Sequence, residues 1–517
     1  MLSCAQIVPL SGGDKDVEHP KEVESFPKNG SINFNENQIS IEFDEFIQLQ
    51  NLQSQLIISP LMEEKPEISV KGKKLIIKLK DTLSTNTTYS LNFGEAIVDI
   101  TENNPFPNYK YVFSTGDFVD SLSYSGSVVN AFDLTPKEKM FVLLYNQFED
   151  SVPYKILPRY VAITDKEGHF SITNIALGNY KAFAINDINS NYLFDLPNEE
   201  IAFLSDKIEI TNNEEGALFY AFEEYNVKQY LVKSENKQYS NIRIILNQKT
   251  EKLTIEVLEE DLPKDWGIIE RNETNDTVNV WLTKKLDKEK LTMVVSDTGG
   301  LIDTASINLM KDKKFEETKL LINSNVSKLF ELNQSVVLTI QRPSSEQNFK
   351  AIKLIEDSVE VNFGLNKLDS VNRKFAIHYP FKENKNYQLL IPKGAFTDYF
   401  GLSNDTMITN FKTKAVSDYG TIALTVTPNF EDNYIVQLRK KDKVIREHFF
   451  KGENKIDYDF LAPGNYGLKL IIDKNNDQNW TTGKYIENIQ PEKVIYYEKD
   501  IVLKANWDNE IKWIIKD

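Results

Sequence analysis

The sequence predicts an all-β protein made of tandem antiparallel β-sandwich domains. Apolar and polar residues alternate over short runs, as at 39–43, 253–257 and 278–282. A period of two puts one face of a strand into a core and the other into water. Asn, Asp, Gly and Pro separate these runs, and sustained helical periodicity is hard to find. Short strands with frequent turn signals are typical of sandwiches joined in series.

Length and composition agree with several folded domains. The chain has 517 residues, of which 41% are hydrophobic and 26% charged. At roughly 100–150 residues per domain, one core is not expected. The formal net charge is −17. We therefore expect no nucleic-acid partner, because phosphate binding depends on a basic surface.

Two internal repeats order the domains. Tyr89 and Thr115 recur with equal spacing as Tyr387 and Thr413, and the triplet Gly-Asn-Tyr at 178–180 recurs at 464–466. Repeats at this separation indicate a duplicated pair of domains around a divergent middle. The predicted order is an anchor region and linker at 1–28, then five domains that we name A (29–117), B (118–225), M (226–315), A′ (316–415) and B′ (416–517).

The first two domains carry a family resemblance. The segments Ile-Glu-Phe-Asp-Glu at 41–45 and Phe-Ser-Thr-Gly at 113–116 resemble the SbsA-type bacterial Ig-like domain. In B, Gly-Ser-Val-Val at 126–129 and the triplet at 178–180 resemble the prealbumin-like, carboxypeptidase-regulatory-like sandwich. Together with the Cys-Ala-Gln-Ile-Val start, the chain is similar to Ig-like lipoproteins of the Bacteroidota. The resemblance implies an outer-membrane lipoprotein of a family mostly without assigned chemistry.

The single cysteine, Cys4, is the candidate lipidation residue. One cysteine excludes an intrachain disulfide and a Cys-based zinc cluster. Met1-Leu2-Ser3-Cys4 resembles the end of a lipobox, although no charged and apolar segment precedes it, and a cytosolic chain with a stray thiol is the alternative. Residues 5–31 have the composition of a tether. The sequence contains no stretch of about 18 uncharged apolar residues, so we predict no membrane-spanning helix.

Two similar loops carry the residue types that bind Ca²⁺. Carboxylate and amide oxygens at alternate positions of a tight loop suit a hard cation. The candidate ligands are Asp187, Asn189, Asn191 and Asp195 in the first loop, and Asp473, Asn475, Asp477 and Asn479 in the second. In the first loop position twelve is Asn198, with Glu199 next, so we expect weak affinity, of about 10⁻⁴–10⁻³ M. The alternative is that these residues only form Asx-turns.

A short motif points to export. Asp followed by Ser or Thr and a small or aliphatic residue resembles the O-glycosylation sequon of the Bacteroidota. The candidate positions are Thr82, Ser121, Ser151, Thr277, Thr304, Ser358, Ser370 and Thr406. The motif says nothing about activity.

Catalytic motifs are missing from the sequence. The four histidines lie in the tether or in strand-like runs, without the spacing of a zinc site. There is no Gly-x-Ser-x-Gly elbow, Walker-type loop or Gly-x-Gly-x-x-Gly fingerprint. We therefore predict a protein that is not an enzyme.

The predicted function follows by analogy from the fold class. We expect a non-catalytic, lipid-anchored outer-membrane protein that serves as a binding or scaffolding subunit outside the cytoplasm, either on the periplasmic face or at the cell surface. Its expected partners are outer-membrane proteins, such as the β-barrel assembly machinery or a SusCD-like transporter. One alternative is a surface glycan-binding protein. A second is a glycosidase with a carboxylate pair, which the 77 acidic residues leave open.

Overall fold

Strands dominate the computed structural model, which confirms the predicted all-β class. It describes residues 16–515 apart from 63, 226–227, 251, 260–261, 264, 273–274 and 311–318. Within those residues the α-helices are single turns, and none is long and apolar enough to cross a membrane. Contacts divide the chain into two units, described separately below. Unit 1 comprises Met1–Tyr225, Asp432–Ile435 and Leu470–Ile495, and unit 2 comprises Asn226–Glu431, Val436–Lys469 and Tyr496–Asp517.

Domain A is a sandwich with sheet orders β1-β2-β6-β5 and β4-β7-β9, and a short pair β3-β8. Its elements are β1 (Glu22–Phe26), β2 (Gln38–Phe43), β3 (Ile47–Leu49), α1 (Leu52–Gln55), β4 (Ile57–Ser59), β5 (Glu67–Lys71), β6 (Lys74–Lys78), β7 (Thr88–Asn92), β8 (Ile97–Asp99) and β9 (Lys110–Ser114). The predicted alternation is confirmed in β2, where Ile39, Ile41 and Phe43 enter the core. Strand β1 precedes the predicted start of A at residue 29 and pairs with β2.

Domain B is built on one sheet with the strand order β12-β11-β14-β15-β17-β10-β13, in which β16 pairs with β14. Side chains of this sheet form a hydrophobic core. Its elements are β10 (Leu122–Asn130), β11 (Phe141–Tyr145), α2 (Val152–Lys155), β12 (Tyr160–Ile163), β13 (His169–Ile175), β14 (Gly178–Ile185), β15 (Glu200–Phe203), β16 (Ile208–Ile210) and β17 (Glu214–Glu223). Strands β10 and β17 are parallel, an exception to the predicted antiparallel pairing. Gly126 permits it, because a Cβ there would lie 2.0 Å from the Ala217 carbonyl oxygen.

Domain M packs the sheet β18-β19-β22-β21 on the sheet β20-β23-β24. Its strands are β18 (Leu231–Gln238), β19 (Asn241–Leu246), β20 (Leu253–Val257), β21 (Gly267–Arg271), β22 (Thr277–Leu282), β23 (Lys290–Asp297) and β24 (Gly300–Asn308). Val278 and Val280 point into this core, as their alternation predicts.

Domain A′ repeats the topology of A, with sheets β25-β27-β32-β31, β26-β35-β33-β29-β30 and β28-β34. Its strands are β25 (Ile322–Ser324), β26 (Leu329–Phe330), β27 (Val336–Ile340), β28 (Ser344–Gln347), β29 (Lys353–Glu356), β30 (Val359–Val361), β31 (Gly364–Lys367), β32 (Lys374–His378), β33 (Asn386–Ile391), β34 (Phe396–Asp398) and β35 (Met407–Thr413), with a 3-10 turn at Phe349–Ala351. The parallel pair β26-β35 is another exception to antiparallel pairing.

The repeated tyrosine and threonine have the same role in both copies. The Tyr89 hydroxyl accepts the Ser84 amide at 2.9 Å, and the Tyr387 hydroxyl accepts the Lys382 amide at 3.1 Å. In each copy a threonine hydroxyl, from Thr115 or Thr413, donates to the carbonyl of that same serine or lysine. The equal spacing in the sequence therefore reflects the same hydrogen-bonded corner, which forms once in A and once in A′.

Domain B′ repeats B, with sheets β39-β36-β43 and β38-β37-β40-β41 and with β42 on β40. Its strands are β36 (Gly420–Thr427), β37 (Asn433–Lys440), β38 (Lys443–Lys451), β39 (Asn454–Leu461), β40 (Gly464–Asp473), β41 (Val494–Tyr496), β42 (Ile501–Leu503) and β43 (Asp508–Ile514), with 3-10 turns at Val416–Asp418 and Tyr485–Glu487. The parallel pair β36-β43 corresponds to β10-β17. In both repeats the Gly-Asn-Tyr tyrosine donates its hydroxyl hydrogen to a carbonyl four residues earlier.

Candidate functional site

The first Asp/Asn loop follows β14 and is held by its own hydrogen bonds. The buried Asp187 carboxylate accepts the amides of Asn191 at 3.2 Å and Tyr192 at 2.6 Å. The side-chain amides of Asn189 and Asn191 both reach the Asp195 carboxylate, at 3.1 and 2.9 Å. The structure therefore gathers the four predicted residues into one turn.

The second loop follows β40 and has the same construction. The Asp473 carboxylate accepts the amides of Asp477 at 3.2 Å and Gln478 at 3.0 Å. Asn475 donates to the hydroxyl of Thr481, which stands where the first loop has Asp195. Asn479, the fourth predicted residue, donates from its backbone amide to the Asp477 carboxylate and from its side-chain amide to the Asp477 carbonyl.

A buried glutamate closes each loop and was missing from the predicted ligands. The Glu199 carboxylate accepts the amides of Ile188, Asp195 and Leu196 at 3.0–3.1 Å. Glu492 likewise accepts the amides of Lys474 and Thr481, at 2.8 and 2.9 Å. Glu199 follows its loop's first aspartate by twelve residues but Glu492 follows by nineteen, so no common spacing exposes the equivalence.

Calcium binding by these loops stays a prediction. The donor set of the first loop is all oxygen, as Ca²⁺ requires, although Asn189 and Asn191 would need to turn their amide oxygens inward. Within the described residues, no group of three or more His, Cys, Asp or Glu side chains is placed to hold a metal ion. The carboxylates of Asp187 and Asp473 already accept backbone hydrogen bonds within their own loops, so the Asx-turn alternative is sufficient for the fold.

The candidate glycosylation residues differ in accessibility, and their modification stays a prediction. Six side chains are exposed, at Thr82, Ser121, Thr304, Ser358, Ser370 and Thr406. Ser151 is half-buried, at the start of α2. Thr277 is buried in β22 and donates to the Asp276 carboxylate at 2.8 Å, so a glycan there would require the strand to open. Cys4 lies outside the described residues.

The histidines do not assemble a catalytic group within the described chain. The Nδ1 of His378 lies 2.9 Å from the Ser335 hydroxyl, but the pair is exposed and no carboxylate orients the ring. His169 is exposed beside Asp165, at 3.9 Å. An exposed serine and histidine alone do not activate a nucleophile.

Polar groups fix the joint between M and A′ in unit 2. Arg373 Nη1 lies 2.7 and 2.8 Å from the two Glu270 carboxylate oxygens, and its guanidinium stacks over the Trp281 ring at 5.0 Å. Trp281 Nε1 donates to the same carboxylate at 2.8 Å. Glu270 is 8% exposed and Trp281 is 3% exposed, so the ion pair is shielded from solvent.

The joint between A′ and B′ in unit 2 is also hydrogen-bonded. The Leu332 amide donates to the Tyr419 hydroxyl at 2.9 Å. Lys414 pairs with Glu331 at 2.5 Å and lies over the Tyr419 ring. Burial, the first cause, and the neighbouring Glu331 both raise the Tyr419 pKa.

In unit 1, side chains join A to B. The Val161 amide donates to the Ser59 hydroxyl at 3.1 Å, and the Asp120 amide donates to the Thr88 hydroxyl at 2.9 Å. Lys110 donates to the Thr173 hydroxyl at 2.5 Å, and burial lowers the Lys110 pKa. These bonds restrict how the two domains can turn.

Unit 1 also contains a covering segment, residues 480–490, that packs on the outer face of B. The Tyr485 ring lies 5.2 Å from the Phe183 ring and 5.1 Å from the Phe203 ring. Gly483 is required by close approach, because a Cβ there would lie 2.5 Å from the Phe222 ring. Three hydrogen bonds anchor the segment: Thr482 to the Glu223 carbonyl, the Tyr485 amide to Glu224, and Gln490 to the Phe203 carbonyl.

The sequence carries a signal for this covered face. Residues 141–145 and 181–185 are nearly continuous apolar runs, and a strand of that kind is buried on both sides. One side of β11 and β14 faces the core of B, while the other packs with Tyr485. The sequence could not say which residues provide the cover.

Comparison with known proteins identifies one domain. Residues 16–115 match the family described as a bacterial Ig-like domain, which confirms the Ig-like resemblance of A and includes β1. No curated protein matches the chain.

Solved structures that resemble the chain share little sequence identity with it. They include the Bacillus anthracis TIE protein, at 12% identity over 98% of this chain and 76% of that chain with a TM-score of 0.15. BcpA, the major pilin subunit of Bacillus cereus, has 9% identity over 76% and 99%, with a TM-score of 0.14. Surface layer protein SbsC, domains 1-6, has 10% identity over 94% and 67%, with a TM-score of 0.17. Similarity at this level says nothing about function.

Proposed function

We propose that the chain is a non-catalytic scaffolding or binding subunit of a bacterial cell-envelope complex. The observation that carries the proposal is the use of shielded polar groups at joints between consecutive domains, above all the contact of Glu270 with Arg373 and Trp281. Leaving one such partner unpaired would be costly, so each joint favours one arrangement of its neighbours. A protein that positions partners needs such defined joints.

The proposal includes an outer-membrane location and a lipid anchor at Cys4. The proposal is supported by the resemblance to Ig-like lipoproteins. The match of residues 16–115 to a bacterial Ig-like domain bears on the Ig-like part of that resemblance. The prealbumin-like assignment of B and B′ belongs to the same proposal. The proposed partners are outer-membrane proteins of the β-barrel assembly machinery or a SusCD-like system.

In this proposal, bound Ca²⁺ stiffens the Asp/Asn loop that holds it. The first loop is favoured over the second because Asp195 supplies a carboxylate where Thr481 supplies a hydroxyl. Weak extracellular sites respond to about 10⁻⁴–10⁻³ M Ca²⁺.

The anchor can be tested by labelling cells with a radioactive fatty acid. The wild-type chain and a Cys4→Ser variant would be compared for label and for recovery in the outer-membrane fraction. We expect label and outer-membrane recovery only for the wild type. Equal recovery of both chains in the soluble fraction, without label, would contradict the anchor and the location together.

A further inference from the structure

A basic cavity of about 460 Å³ lies in B′, within unit 2, and belongs to none of the features described above. It is lined by Arg439, Lys440 and Lys441, at the end of β37 and in the turn after it. The first residues of β40 and Tyr496 also line it. Asp500 is the acid among the described lining residues, so these groups carry a formal charge of 3 − 1 = +2. That charge stands out in a chain whose net charge is −17.

The cations of this cavity have no carboxylate partner among the described residues. Arg439 donates to two neutral acceptors, the Tyr496 hydroxyl at 2.9 Å and the Asp442 carbonyl at 3.4 Å, and its buried Nε has no acceptor. Lys440 donates to the Pro463 carbonyl at 3.1 Å. A half-buried guanidinium without a counter-ion is costly, and a bound anion would offset that cost.

The corresponding strand of B shows the contrast. There Lys181 stands one residue after the Gly-Asn-Tyr triplet and forms an ion pair with Asp150 at 2.8 Å. The same position of B′ is Gly467, which lines the cavity. At this position B therefore has a cation that is neutralised by an ion pair, whereas B′ has a glycine beside the three cations of the cavity.

We propose that this cavity binds an acidic saccharide unit through its carboxylate. A guanidinium is suited to an oxyanion, and the adjacent lysines add charge. The exposed Asn465 amide makes no side-chain hydrogen bond within the described chain and is available to a sugar hydroxyl. The aliphatic stems of the lysines offer apolar contact to the C–H face of a sugar. The volume suits a small ligand.

The test is calorimetric titration of the full chain with digalacturonate, using galactobiose as the neutral control. Arg439→Ala should weaken binding about tenfold or more, the order expected for a charged hydrogen bond. Lys441→Gly should weaken it about two- to threefold, as for an exposed charge. Since Lys441 has φ 54°, glycine there relieves strain and the variant should fold. Lys455→Ala, an exposed lysine on β39 outside the cavity, is the matched control.

Selective binding of digalacturonate that falls with salt, weakens in both cavity variants and is unchanged in Lys455→Ala would support the proposal. Absence of saturable binding would overturn it, as would equal affinity for galactobiose or unchanged affinity in Lys441→Gly. Equally tight binding of inorganic phosphate or of a glutamate-rich peptide would overturn the saccharide class.

Discussion

Replacing Glu199 by glutamine should open the first Asp/Asn loop selectively. The carboxylate is 1% exposed and accepts three backbone amides, Ile188 on Oε1 and both Asp195 and Leu196 on Oε2. Glutamine keeps one oxygen. If that oxygen stays with the pair of amides, its NH₂ group faces the Ile188 amide, and two donors then meet without an acceptor.

The structure gives a rough size for the effect. A buried amide left without an acceptor costs about 1–3 kcal/mol, and charge-assisted bonds are about twice as strong as neutral ones. One lost bond and two weakened bonds together predict a loss of about 3 kcal/mol in the free energy of local opening. That loss corresponds to roughly a hundredfold faster exchange of the loop amides.

Hydrogen exchange with mass spectrometry can measure this opening in the full chain. Peptides covering 186–200 should lose protection, while peptides from M and A′ should be unaffected. Glu209→Gln is the matched control, since that exposed carboxylate on β16 makes no side-chain hydrogen bond within the described residues. Unchanged exchange at 186–200, measured in EGTA to remove Ca²⁺, would refute the role assigned to Glu199.

Four further predictions follow from the same structure. Arg373→Ala removes the cation that pairs with the shielded Glu270 carboxylate, while the Trp281 hydrogen bond to it remains. The change should lower local stability at the joint between M and A′ by about 2–4 kcal/mol, measured as faster exchange in β21 and β22. A loss under about 0.5 kcal/mol would contradict this prediction. Two carboxyl groups should respond oppositely to pH. The Lys382 hydrogen bond, the largest cause, lowers the Glu356 pKa below its ordinary 4.5, so its stabilisation is present above pH 4.5 and is lost as pH falls through the folded pKa. Burial raises the Glu492 pKa above 4.5, so its contribution is present below pH 4.5 and is lost as pH rises through the folded pKa. Exchange at 353–356 and at 473–492, measured across this range, should show opposite slopes, and parallel slopes would be inconsistent with these shifts. Tyr485→Ala should expose the outer face of B and lower its stability by about 3–5 kcal/mol. Tyr485→Phe should be nearly neutral, because the buried hydroxyl has no hydrogen-bond partner within the described chain. Equal effects of the two changes on hydrogen exchange in β14 would be evidence against this packing. Millimolar Ca²⁺ should protect the first Asp/Asn loop more than the second, and melting curves insensitive to chelator would remove the calcium prediction.

Local pattern was enough to predict the all-β class and the alternation within its strands. Alternation placed Ile39, Ile41 and Phe43 correctly in the core of A, because a half-buried strand has a period of two whatever its partners are. The equal spacing of Tyr89 and Thr115 with their counterparts was informative because each pair forms one local corner.

Features that depend on contacts between distant residues could not be predicted from the sequence. Glu270 and Arg373 meet across 103 positions, and no periodicity links them. Tyr485 packs on a face of B about 300 residues earlier in the chain. The loop glutamates were missed for a different reason, since insertions changed the spacing between Glu492 and Asp473 while the hydrogen-bonding role stayed the same. Pairings set by tertiary structure leave no mark in a single sequence.

Purification from native membranes can show whether the chain is a subunit of an envelope complex. A C-terminally tagged chain would be isolated in mild detergent, and the bound proteins would be quantified by mass spectrometry. We expect a stoichiometric set of outer-membrane proteins that is absent when the tag is carried by an unrelated lipoprotein. An intact, folded chain recovered alone would contradict the claim.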